Sequence, residues 1–111
     1  MEKVIKKVIF SITFYEDLKS IYSYGFETFG FEMAEIFQEK ILHFSNGLSY
    51  MFLVHPECRH LETKTQIYRN IIFGKYLIIY RIRASRIEVL KVIHSSQKPS
   101  KIKAIKKIKL K

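Results

Sequence analysis

Arg69, Arg81, Arg83, Arg86, Lys91 and His94 interrupt an otherwise apolar run at residues 67–94, IYRNIIFGKYLIIYRIRASRIEVLKVIH. A planar guanidinium presents parallel donors that fit phosphate or carboxylate, so this is where recognition or catalysis of an anion would be built. Arg69 and Arg81 fall on neighbouring predicted strands. If both emerge on one uncovered face they form a pre-organised pair of forks; otherwise they are solvated arginines or ion-pair with Glu88. His94 stands where the last strand runs out, beside Ser95, Ser96 and Gln97. An imidazole titrates where proton transfer is useful, and general acid or base action is typically worth about 10²- to 10⁴-fold. A histidine at a strand end more often serves as a hydrogen-bonded terminator. Tyr68, Tyr76 and Tyr80 interleave with these cations, as in proteins that stack bases on a sheet. No RNA-recognition signature of the RGFGFVxF type accompanies them, and core packing accounts for most of them.

Two further groups carry potential chemistry. His55, Cys58 and His60 sit together in HPECRH, but structural zinc wants four ligands, usually in two separated pairs, and the chain has no second pair. An ordinary loop is the expectation, with no metal and no cofactor. Nothing assigns Cys58 a base or a depressed pKa, so it is not expected to act as a nucleophile. The second group is the terminal KIKAIKKIKLK, with Lys101, Lys103, Lys106 and Lys107. As a helix from Ser100 it places Ile102, Ile105 and Ile108 along one side and lysines around the rest. As a disordered arm it is simply a polycation. The expectation is a short helix docked by its isoleucines.

The elements that position these groups follow from periodicity. Gly74-Lys75 and Ala84-Ser85 break the apolar run into three strands, and residues 76–82, apolar at nearly every position, form a central strand covered on both faces. Residues 3–11 alternate as a first strand, with Val8, Phe10 and Ile12 on one face. Thr13 and Glu16 have capping-box spacing, so a first helix is expected from Phe14 with Phe14, Leu18, Ile21 and Tyr22 as its stripe. Gly25 and Gly30 bracket FETF, where the chain should reverse. A second helix from Phe31 would bury Met33, Ala34, Phe37, Ile41, Phe44 and Leu48, stopping at Asn46-Gly47 in a left-handed cap. Residues 49–66 connect, with weak signs of pairing at a sheet edge.

At 111 residues the chain is one domain, able to bury about two thirds of its unfolded surface. Hydrophobic content of 48% with 27% charged residues argues against wholesale disorder. Twenty Lys and Arg against ten Asp and Glu leave a formal charge of +10, which implies an anionic partner: nucleic acid, acidic protein or acidic surface. A single cysteine points to a reducing compartment. No secretory signal and no apolar run of the roughly 18 residues a membrane span needs are visible, so a soluble, cytoplasmic protein without membrane contact is expected.

The order strand, helical hairpin, loop and three-strand meander resembles the RelE/ParE superfamily of toxins from type II toxin–antitoxin modules. The matching pieces are Asp17-Leu18 with Ile21-Tyr22, Phe29-Gly30 followed by Ala34 and Phe37, Leu48 with Pro56, the Tyr68-Arg69 strand, KYLIIYRI and IEVLKVIH. The resemblance implies an α+β fold: an N-terminal strand and an antiparallel helical hairpin packed on a mainly antiparallel sheet ending in a three-strand meander. Residues 1–99 would be the toxin domain and 100–111 a basic tail. It also implies a cognate antitoxin with an acidic or amphipathic segment, forming a hetero-oligomer. RelE-like toxins resemble ribosome-dependent mRNA endonucleases, whereas ParE-like toxins act on DNA gyrase. This chain has Leu77 and Ser96 where RelE-like sequences carry arginines, and no tyrosine follows Ser96; Arg69 falls where a catalytic lysine would be and Ile71 replaces a second. RNA self-cleavage needs a base, an acid and cations for the developing phosphorane charge. Arg69, Arg81 and His94 are the catalytic candidates if the chain is an endoribonuclease. The departures favour a ParE-like protein that inhibits gyrase by binding, with Arg69, Arg81, Arg83, Arg86, Lys91 and the tail lysines as its contact set. A non-toxic basic nucleic-acid binder is the remaining alternative.

Overall fold

The structure, a computed structural model, describes residues 4–110. Strand β1 (Lys7–Phe10) leads into helices α1 (Ile12–Phe29) and α2 (Phe31–Asn46) and a single-turn helix α3 (Leu48–Met51). After a loop come β2 (Tyr68–Phe73), β3 (Tyr76–Ile82) and β4 (Arg86–His94); α4 (Pro99–Lys103) then runs into a 3-10 turn (Ala104–Lys107). The sheet order is β1-β4-β3-β2, with β1 parallel to β4 and the meander antiparallel. This is the expected α+β architecture. The expected beginning of the first strand at Lys3 lies outside the described residues.

The meander forms because its runs are rich in Ile, Tyr, Val and Phe, and because Gly74, at φ +59°, closes a two-residue turn that β-branched residues could not adopt cheaply. One helix face packs Phe14, Leu18, Ile41 and Leu48 against Ile71, Ile78, Tyr80, Val89 and Val92. The opposite sheet face, with Tyr68, Ile79, Leu90 and Ile93, lies under Cys58 and Leu61 of the loop and Ile102 and Ile105 of the tail. Strand β3 is therefore covered on both sides, which is why its sequence does not alternate. Full burial of an isoleucine stabilises by roughly 1.5–3 kcal/mol, so Ile102 and Ile105 are apolar anchors that contribute to holding the tail on the sheet.

Four local expectations are corrected. Ser11, not Thr13, caps α1: its Oγ accepts from the Phe14 N–H at 3.0 Å, and the helix starts at Ile12, which is exposed rather than part of the strand. The reason is long-range. A bulge leaves Leu90 without a partner on β3, and its carbonyl accepts from both the Ser11 and the Thr13 hydroxyls, at 2.5 and 2.8 Å. Second, α1 runs through Gly25 and FETF; the reversal is made at Gly30 alone (φ +93°, ψ 175°), while Gly25 sits against Ala34, 3.7 Å from where a Cβ would be. Third, Gly47 is right-handed, so the chain turns directly into α3 instead of ending in a left-handed cap. Fourth, Met33 and Phe44 are exposed, because α2 lies over the β2–β3 edge of the sheet and its outer side faces away from it; Phe44 meets the sheet at Phe73, 5.4 Å between ring centroids. The weak pairing expected in 49–66 is a single bridge, Glu57 to Arg69.

Candidate anion and partner interface

The two-residue turn at Gly74-Lys75 sets the β2–β3 register: Tyr68 opposes Arg81 and Arg69 opposes Tyr80. Directly opposed residues share a face and the next pair lies on the other, so Arg69 and Arg81 point to opposite sides of the sheet. The expected pair of forks on one open face is not formed. Arg69 points to the helix side, where it pins the loop by donating to the carbonyls of Leu53, His55 and Gln66 at 3.0–3.1 Å. Arg81 is 3% exposed, and its Nε donates to Glu88 Oε1 at 2.6 Å.

Glu88, itself buried, is the hub of an ionic cluster at this end of the sheet. Arg83 meets Oε1 at 3.2 Å, and Arg86 reaches Oε2 through Nε and Nη2. Burial opposes the Glu88 charge, but the hydrogen bonds from Arg81 and Arg86 outweigh it and hold the carboxyl below its ordinary range. Burial likewise works against the Arg81 charge, and bonds to Tyr68 and Glu88 reverse that effect. The same guanidinium groups fasten the tail: Arg81 Nη2 donates to the Ile108 carbonyl at 2.8 Å, and Arg86 Nη2 to that of Leu110 at 3.3 Å. Together with Tyr68, Lys106 and Lys109 they line a groove of about 480 Å³. Lys106 Nζ stands over the Tyr68 ring, 5.9 Å from its centroid.

The other candidates are dispersed. Lys91 binds Asp17 Oδ1 on α1 at 3.1 Å, and the Val92 N–H donates to the other oxygen. Burial is the larger influence on Asp17 and raises its pKa despite these bonds. Lys101, Lys103, Lys106 and Lys107 are exposed along the tail. His94 opposes Tyr76, six residues along β4 from Glu88 and so on the order of 20 Å from the Arg81 cluster. Its Nδ1 accepts the Ser96 N–H at 3.1 Å, with the Ser96 hydroxyl at 2.6 Å. That is the bonding of a strand terminator, and it leaves Nε2 as the protonated nitrogen of the neutral ring. Arg69, Arg81 and His94 are thus not brought together.

Leu77 and Ser96 do come together, with Asn70, Ile72 and His60, around a depression of about 620 Å³ whose charged lining residues are Glu57 and Arg59. Ile71 faces the opposite side, in the helix-covered core. Cys58 is fully buried and burial pushes its thiol up to about 11, and no metal-capable cluster of His, Cys, Asp or Glu occurs among the described residues. Tyr80 is a core residue whose hydroxyl donates to the Phe52 carbonyl at 2.6 Å.

Charge segregation is the feature that whole-chain composition hid. Residues 12–46 carry Glu16, Asp17, Glu27, Glu32, Glu35 and Glu39 against only Lys19 and Lys40, so the helical hairpin is acidic. Residues 76–110 carry ten Lys and Arg against the single, buried Glu88. Counting charges element by element would have shown this from sequence. The hairpin also exposes Tyr24, Phe26, Phe29, Phe31 and Met33, beside an apolar cleft of about 570 Å³ that reaches Tyr76 and His94.

An N-terminal strand, a helical hairpin and a three-strand meander in the order β1-β4-β3-β2 form the architecture expected of the RelE/ParE type. A family profile described as the ParE toxin of type II toxin–antitoxin system, parDE, matches residues 8–99, and the chain belongs to that family. No curated protein sequence matches it. Among solved structures it is similar to the chromosomal ParDE toxin–antitoxin system from P. aeruginosa, with a TM-score of 0.68 and 16% identity over 81% of this chain and 96% of that one. It is also similar to the toxin–antitoxin complex RelBE2 from Mycobacterium tuberculosis, with a TM-score of 0.57 and 21% identity over 82% of this chain and 99% of that one. At these identities the structural likeness speaks for the fold.

Proposed function

We propose that this ParE-family toxin inhibits DNA gyrase by binding and is neutralised by a cognate antitoxin. The family match over residues 8–99 carries the proposal. It is supported by the depression at Leu77 and Ser96, where Arg59 is the one arginine and Glu57 offsets its charge, and by the separation of Arg69, Arg81 and His94. The toxin acts in the cytoplasm, and the cations it can present to a partner are the tail lysines and the outward edges of Arg83 and Arg86, whose other edges bind Glu88; Arg81 and Lys91 are held by Glu88 and Asp17. The antitoxin forms a hetero-oligomer with it. Aromatic and aliphatic side chains exposed on the hairpin offer the anchors that an amphipathic antitoxin segment needs. Regulated expression tests the proposal: growth arrest with filamentation and a DNA-damage response is expected, relieved by co-expressing a small protein encoded next to the toxin. Arrest accompanied by mRNA cuts within translated codons would instead establish an endoribonuclease.

A further inference from the structure

We infer that the groove between the Arg81–Glu88 end of the sheet and the C-terminal tail binds the phosphodiester backbone of a nucleic acid. Three observations point there, and none depends on gyrase being the target.

The first is the charge balance of the groove. Glu88 is its one carboxylate and meets three arginines, of which Arg83 is 50% exposed and Arg86 31%. Lys106 and Lys109 add two more cations on the rim. One buried negative charge orients these groups without neutralising them.

The second is unused donor capacity in fixed positions. Arg83 spends Nε on Glu88, and no described protein group takes its two terminal nitrogens; Arg86 engages Nε and Nη2, leaving Nη1. Guanidinium groups held at one edge by a buried carboxylate present the other edge outward, the arrangement that receives phosphate oxygens in parallel. Lysines 101, 103 and 107 continue the row of cations along the exposed side of the tail, so the site suits a repeating anion better than an isolated one.

The third is what the groove lacks. Its apolar lining residues, Ile108 and Leu110, are partly buried, and the large exposed apolar side chains, at Val4 and Ile5, on the hairpin, on residues 50–54 and at Ile72, are not among the residues that line it. A peptide partner gains specificity from apolar anchors, which this groove does not offer. Affinity here must come from charge, as it does in binding to a phosphate backbone.

Fluorescence anisotropy of the full chain with a labelled duplex of roughly 20 base pairs tests the inference, because each duplex phosphate contact contributes about 0.9 to the slope of log affinity on log salt. The triple variant Arg83→Ala/Lys106→Ala/Lys109→Ala should bind at least about tenfold more weakly at 100 mM salt and lower the slope by roughly 2–3. A control with the same charge change elsewhere, Lys19→Ala/Lys40→Ala/Lys64→Ala, should stay within about twofold, and Arg83→Lys, which keeps the charge but loses the outward edge of parallel donors, should weaken binding less than Arg83→Ala while leaving the salt slope unchanged. Thermal melts establish that every variant is folded. Substituting a single-stranded RNA of the same sequence tells which nucleic acid is preferred; the same dependence on the triple variant with either polymer supports the inference. Equal weakening by both triples overturns it, since long-range net charge would then suffice. Displacement of the duplex by poly-glutamate at equal charge concentration, or by inorganic phosphate at matched ionic strength, also overturns it, in favour of an acidic peptide or a free anion.

Discussion

Replacing Glu88 by Gln tests the ionic cluster on which the tail depends. The substitution preserves size and leaves one acceptor, but removes the counter-ion of Arg81, which is 3% exposed and bonds to Glu88 at 2.6 Å. Removing one member of a buried pair costs about 3–5 kcal/mol, because the remaining charge is stranded. Arg83 and Arg86 can turn to water, so each adds only about 0.2–1 kcal/mol. Arg81 keeps Tyr68 Oη at 3.3 Å and the Ile108 carbonyl at 2.8 Å, which places the loss near the lower end, about 3 kcal/mol. For a chain of this size that lowers the melting temperature by about 12 °C at roughly 4 °C per kcal/mol. The folded Glu88 pKa is depressed, so its contribution is present at neutral pH and is lost as pH falls below the ordinary carboxylate range. Urea unfolding followed from neutral pH down through the ordinary glutamate range, about 4.3 in an unfolded chain, should therefore give a flatter profile for Glu88→Gln than for the native chain. The double variant Arg81→Met/Glu88→Leu should recover most of the loss, since apolar replacement of a buried pair is often neutral. A drop below about 3 °C for Glu88→Gln, or a double variant as weak as the single one, would refute this reasoning.

Asp17 should titrate with the opposite sign: burial raises its folded pKa, so the native chain gains stability relative to Asp17→Asn as pH is lowered from neutrality towards the ordinary carboxylate range, which paired denaturant titrations would reveal. Gly30→Ala should destabilise by about 1–3 kcal/mol, because φ +93° with ψ 175° is a region open essentially only to glycine. Gly25→Ala, inside α1 with its new methyl in ordinary contact with Ala34, should be neutral or stabilising by up to about 1 kcal/mol in the same melts. Cys58 should resist alkylation at pH 8 until the chain unfolds, since a thiol near 11 is only about 10⁻³ thiolate there and the residue is fully buried; rapid labelling of the native protein would contradict its placement.

Much of the architecture was legible because burial leaves its period in the residues. Strand β3 reads as covered on both faces, and the tail isoleucines at 102, 105 and 108 read as an anchor; Ile102 and Ile105 are buried as expected. What sequence left hidden depends on partners distant along the chain. The choice between Ser11 and Thr13 as cap is decided by a Leu90 carbonyl that a bulge sets free. The burial of Arg81 depends on Glu88 and on the Ile108 carbonyl. The separation of Arg69 from Arg81, by contrast, was available, since a two-residue turn at Gly74-Lys75 fixes the parity of every pair in the hairpin. The acidity of the helical hairpin was available too, masked by the +10 of the whole chain.

A supercoiling assay with purified DNA gyrase and relaxed plasmid tests the central proposal most directly. Dose-dependent loss of supercoiling, restored by the cognate antitoxin, is expected. Unchanged plasmid topology at large toxin excess, with the chain shown to be folded, would contradict it.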